Sequence, residues 1–184
     1  ALDAAADRRI AARLERTGVE PDHELIVVHV SASNPFRRWP EPAFAEVVSS
    51  LVRESPARRV VLSSGPSDRP AADRIAASAR DLLPAASRAR VIDFGEFDIG
   101  ELRALVGRSR LFIGGDTGPL HVAATTATPI VAIYGPTLPA RSAPWRRLDI
   151  PSESVEITGL ACRPCDQRVC APGDYRCLTT LKPA

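Results

Sequence analysis

At 184 residues the chain is long enough for one domain with a sizeable core, or for two small ones. Hydrophobic residues at 45% and charged residues at 25% exclude a disordered chain, and the longest apolar runs fall far short of a membrane span. A net charge of +2 gives no argument for nucleic acid.

In chain order, Leu2, Ala6, Ile10 and Leu14 recur at four-residue spacing, which predicts a helix over 2–16 within an N-terminal linker segment, 1–19. "HELIVVHV" (23–30) is a continuous apolar run of strand length, the pattern of a strand buried on both faces. "SASNPFRRWP" reads as a loop from its Ser, Asn and Pro content. Pro40 stands where a first helical turn favours proline, and Phe44, Val47, Val48, Leu51 and Val52 form one apolar helical face behind it. The alternation continues through strand "RRVVLSS", turn "GPSDRP", helix "AADRIAASARDLL", strand "ARVIDF", helix "IGELRALVGRS" and strand "RLFIGG". A short helix "PLHVAATTA" and a last strand "TPIVAIYG" close the series. Strands alternating with helices imply right-handed βαβ units, hence a three-layer α/β, Rossmann-like parallel sheet over 20–150. Beyond Pro144 the pattern dissolves into a Cys- and Pro-rich tail, 151–184.

Ligands of an open parallel sheet sit outside the carboxyl ends of its strands. "GGDTGPLH" (114–121) begins at such an end. Asp-Thr-Gly alone suggests an aspartic protease, but that chemistry needs two carboxylates sharing a proton, and one copy on an α/β frame excludes it. Thr117 and Gly118 instead lead into a helix whose first N–H groups suit a phosphate, with His121 one turn further on the same anion. Asp116, an acceptor, suits sugar hydroxyls. The group reads as a diphosphate-plus-polyol site; the competing reading is a tight turn with a capping Asp and a core His. Other loops add to the same edge: Ser31, Ser33, Asn34, Arg37 and Arg38 after the first strand, Gly65 and Asp68 after the second, Pro136 and Thr137 after "AIYG". No G-x-G-x-x-G follows the first strand, which argues against a dehydrogenase.

With these loops in place, "SASNPFRRWPEPAFAEVV", "FIGGDTGPLHVAATTATPIVAIYGPTLPARSAPW" and "CRPCDQRVCAPGDYRCL" resemble the C-terminal half of family 9 glycosyltransferases, the lipopolysaccharide heptosyltransferases. The resemblance implies the donor-binding domain of a GT-B enzyme that inverts configuration and needs no cofactor, with ADP-heptose the usual donor. It places Asp116 at the donor sugar and Thr117, Gly118 and His121 around the diphosphate. Ser33 and Arg37 would face the phosphates, with Arg37 standing where the family often has Lys. Asp68 would approach the ribose and Phe97 the adenine. The general base that such transfer requires, and the site for a lipid-linked or oligosaccharide acceptor, belong in the family to an N-terminal domain. This sequence, which contains no methionine, reads as lacking that half, so it is expected to bind donor and transfer nothing alone. With no basic n-region followed by an apolar stretch at its start, the sequence is expected to be cytoplasmic, a peripheral position at the inner face of the inner membrane being an option within that. A GT-B-fold nucleotide-sugar epimerase and a non-enzymatic Cys-rich interaction module stand as alternatives.

Cys162, Cys165, Cys170 and Cys177 are spaced C-x2-C-x4-C-x6-C. Four clustered thiols invite zinc, and the first pair has ligand spacing, but the second is loose. A reduced loop and fortuitous disulfides are the alternatives, and the resembling family carries such cysteines without a metal requirement. The expectation is therefore no metal.

Overall fold

The computed structural model describes residues 3–183, so Leu2 of the anticipated first helical face lies outside the described residues. Among the described residues six strands form one sheet: β1 (Glu24–His29), β2 (Arg58–Ser63), β3 (Val91–Gly95), β4 (Leu111–Gly115), β5 (Ile130–Tyr134) and β6 (Ser152–Glu156). Every pairing is parallel, in the order β3-β2-β1-β4-β5-β6. This is the Rossmann strand order, and its direction of growth reverses between β1 and β4. The crevice of such a sheet opens there, outside the carboxyl ends.

Among the described residues there are seven α-helices: α1 (Ala4–Arg16), α2 (Glu41–Glu54), α3 (Arg69–Asp81), α4 (Ile99–Gly107), α5 (Gly118–Ala124), α6 (Pro139–Ser142) and α7 (Arg176–Thr179). Alternation along β1 divides the core. Leu25 and Val27 join Ile10, Leu14, Leu105 and Leu120 from α1, α4 and α5 in one buried cluster. Ile26 and Val28 join Phe44, Val48 and Ile75 from α2 and α3 in the other. Trp39 is buried edge-on against Phe44, ring centroids 5.0 Å apart, and fixes the start of α2. Pro40 lies just outside that helix as its cap, and Pro42 takes the place in the first turn.

Two features were not legible as elements. β6 adds a strand after "TPIVAIYG"; its first three residues are exposed at the sheet edge, so no apolar alternation marks it. The tail also enters the core. Leu178 and Leu181 are buried in the α2–α3 cluster, and the Trp39 indole N–H donates to the Leu181 carbonyl at 3.0 Å. Gly135 makes this packing possible, because a Cβ there would lie 2.6 Å from Leu178 Cγ. None of the helices among the described residues is long and apolar enough to cross a membrane.

Candidate functional site

The loops after β1, β2, β3 and β4 meet at the crevice. They enclose a cleft of about 530 Å³ whose walls include His29, Ser31, Ser33, Ser63, Ser64, Asp68, Phe97, Thr117 and Gly118. Seven of the residues anticipated from sequence, Ser31, Ser33, Gly65, Asp68, Phe97, Thr117 and Gly118, therefore share one space.

Asp68 is held from two sides. The Ser31 hydroxyl donates to its carboxylate at 2.5 Å and Arg38 bridges to it at 2.8 Å, while Arg38 Nε donates to the Ala32 carbonyl at 2.8 Å. Carboxylate oxygens retain acceptor sites beyond two such bonds, so Asp68 keeps capacity for a ligand hydroxyl. Phe97 packs edge-on to Phe94, centroids 6.1 Å apart, and the Arg13 guanidinium lies 4.5 and 4.8 Å from the Phe94 and Phe97 ring centroids. Two side chains, Arg13 from α1 and Phe94 from β3, thus fix one aromatic ring at the cleft wall.

Asp116 is buried beside the cleft. Its carboxylate accepts from the Thr137 hydroxyl at 2.7 Å and sits 3.4 Å from Arg37 Nη1, which donates to the Asp116 carbonyl at 3.0 Å. This network ties the loops after β1, β4 and β5 together. In the described arrangement, then, the Asp116 carboxylate and Arg37 engage each other, and Thr137 completes the contact. His121 is exposed on α5, outside the cleft lining. Thr117 caps α5 without a side-chain hydrogen bond to it; Pro119 has no N–H and the Leu120 N–H donates to the Thr117 carbonyl at 3.1 Å, which leaves the Gly118 N–H as the donor at that helix start.

The floor carries residues that the sequence pattern did not single out. His29 closes β1 and is buried, its Nδ1 3.0 Å from the Ser63 hydroxyl. Burial pushes its pKa down to about 4, opposed only by the Asp68 charge. The imidazole is therefore neutral near pH 7. The Ser64 hydroxyl beside it is buried with no hydrogen-bond partner among the described residues. The signal for both was available: a histidine ending an apolar strand, and a Ser-Ser pair at the carboxyl end of the next.

The four cysteines are free and line a separate cavity of about 190 Å³ with Phe36, Val169 and Tyr175. Among the described residues no three of their thiols lie within 4.8 Å of one another, so the zinc alternative has no assembled ligand set. Burial raises the Cys177 pKa.

Residues 3–175 match the family model for glycosyltransferase family 9 (heptosyltransferase). The chain is 31% identical over 140 residues to lipopolysaccharide heptosyltransferase 3 of Escherichia coli K12, covering 75% of the chain and 38% of that protein. The family 9 glycosyltransferase structure from Veillonella parvula superposes with a TM-score of 0.78 at 22% identity, over 99% of this chain and 49% of that one. The E. coli ADP-heptose LPS heptosyltransferase II structure gives 0.71 at 23% identity, over 86% and 45%. The chain spans less than half the length of each of these relatives.

Proposed function

The chain belongs to glycosyltransferase family 9, and from that premise we propose that it forms the donor-binding half of a transferase that carries a sugar from a nucleotide diphosphate to a lipopolysaccharide-type acceptor. The observation that carries this is the cleft at the β1/β4 reversal, where Ser31, Ser33, Asp68, Phe97, Thr117 and Gly118 face one space. Phe97 supplies a flat face for a base, Asp68 an acceptor for ribose hydroxyls, and the Gly118 N–H at the α5 start, with the Ser33 and Thr117 hydroxyls, donors to a diphosphate. A clefted Rossmann-like unit holds nucleotides in this way.

ADP-heptose is the donor we assign, since one structural relative is described as an ADP-heptose heptosyltransferase. Asp116 would meet the sugar once the Thr137 hydroxyl gives way to a ligand hydroxyl, with Arg37 held in place, and His121 would close over the phosphates from the solvent side. Arg37, beside Asp116, would offer its unused N–H groups to a phosphate. Transfer with inversion needs a base on the acceptor hydroxyl, and we assign that base to the part of the relatives that these residues do not match. We place the enzyme in the cytoplasm against the inner membrane, where a lipid-linked acceptor would be met.

Calorimetry with ADP-heptose, paired with a turnover assay on a lipid A–Kdo acceptor, tests both halves of the proposal. Binding without turnover is the expected result. Turnover by these residues alone would refute the division of labour, and absence of binding would refute the donor site.

A further inference from the structure

The cysteine-bearing tail touches the Arg37 side chain through Gln167, whose role rests on the proposed reading of Arg37 as facing the phosphates. Gln167 adopts φ +59°, a left-handed conformation unfavourable for a residue with a side chain. Its side-chain oxygen accepts from Asn34 Nδ2 at 3.0 Å and from Arg37 Nε at 2.7 Å. Two donors converging on this atom identify it as the carbonyl oxygen and use both of its lone pairs. Asn34 in turn accepts the Phe36 N–H at 3.0 Å, so the turn that carries Arg37 is braced at its base.

Gln167 is itself held from both directions along the chain. Before it, Arg163 donates to the Thr137 carbonyl at 2.5 Å and the Cys165 N–H to the Pro136 carbonyl at 3.3 Å. After it, Tyr175 packs edge-on against Phe36, centroids 5.3 Å apart. The amide is thus carried to Arg37 by a segment anchored on the loops after β1 and β5.

A guanidinium bonded at one nitrogen still swings about its side-chain torsions. Bonded at Nε to Gln167 and at Nη1 to the Asp116 carbonyl, its plane is set by two segments far apart in sequence. Nη2 has no hydrogen-bond partner among the described residues. We infer that Gln167 is a positioning residue: it locks the Arg37 guanidinium against Asp116 so that Nη2 is presented to a phosphate oxygen of the bound nucleotide diphosphate. The tail then serves the donor site through this amide.

The test is ADP titration by calorimetry of the whole chain as wild type, Arg37→Ala, Gln167→Gly and the double variant. Glycine suits φ +59°, so Gln167→Gly removes the amide while easing the backbone. Loss of an Arg–phosphate contact weakens ADP by about tenfold or more in Arg37→Ala, and loss of its positioning by about three- to tenfold in Gln167→Gly. The double variant should match Arg37→Ala within about twofold, because the amide acts only through the guanidinium. Melting temperatures read alongside should stay level between wild type and Gln167→Gly. Equal ADP affinity in wild type and Gln167→Gly overturns the inference, as does a Gln167→Gly penalty that persists undiminished in the Arg37→Ala background. An Arg37→Ala variant that binds like wild type overturns it too, while leaving the cleft assignment intact. A wild-type chain that binds no ADP refutes the proposed function itself.

Discussion

The Thr137 hydroxyl donates to the Asp116 carboxylate at 2.7 Å, joining the loop after β5 to the loop after β4. Removing a hydrogen bond to a charged, buried acceptor costs about 2 kcal/mol. At about 2–4 °C per kcal/mol for a chain of this size, Thr137→Val should lower the melting temperature by about 4–8 °C. Thr137→Ser keeps the donor and should stay near wild type. Calorimetric melts of the three proteins check this.

Asp68 lines the cleft, where we propose that it reads the ribose of a bound nucleotide. Asp68→Ala should weaken ADP by about tenfold, the equivalent of one charge-assisted hydrogen bond. The same substitution should matter less for 2′-deoxy-ADP, which lacks one of the hydroxyls. Equal losses for both nucleotides would mean that the carboxylate only organises Ser31 and Arg38.

His29 makes stability depend on pH in a defined window. Its pKa falls from 6.5 to about 4 because burial penalises the imidazolium. Between those values the unfolded chain binds the extra proton, so stability rises with pH through the window and is lost as pH falls through it. Full loss over the window is worth about 3 kcal/mol. Urea unfolding at pH 7, 5.5 and 4 should therefore show a steeper decline for wild type than for His29→Asn, whose amide can still pair with Ser63. Parallel declines would show that other groups set the dependence.

The tail packs on the body of the domain through Leu178 over Gly135. Gly135→Ala forces a Cβ into that contact, and overpacking costs about 1–3 kcal/mol. Leu178→Ala alone leaves a cavity and costs about 2–4 kcal/mol. Combined, the two should cost less than their sum, since the added methyl fills space that the leucine vacates. Additive losses in urea titrations would place the tail elsewhere.

The layout of this fold was legible because buried parallel strands are near-continuous apolar runs, as in "HELIVVHV", and amphipathic helices separate them. β6 escaped because its exposed edge residues, Ser152 to Ser154, carry no apolar period. The tail escaped because a cysteine- and proline-rich stretch gives no sign that Leu178 and Leu181 return to the core. At the site, the rule that ligands lie beyond strand carboxyl ends pointed to Ser33, Asp68, Thr117 and Gly118, which the fold brings into one cleft. Pairings could not be read: that Asp116 would be taken up by Thr137 and Arg37, or that Asp68 would be held by Ser31 and Arg38, depends on loop geometry that spacing does not encode. His29 and Ser64 were passed over because, within an apolar strand and its end, they read as core residues.

Whether the crevice where the sheet reverses takes a nucleotide diphosphate is tested most directly by amide chemical-shift mapping during an ADP titration. Perturbations concentrated at Ser31, Ser33, Asp68, Phe97, Thr117 and Gly118 are the predicted result. Shifts confined to the cysteine cavity around Cys170 and Tyr175, or none at saturating ADP, would contradict it.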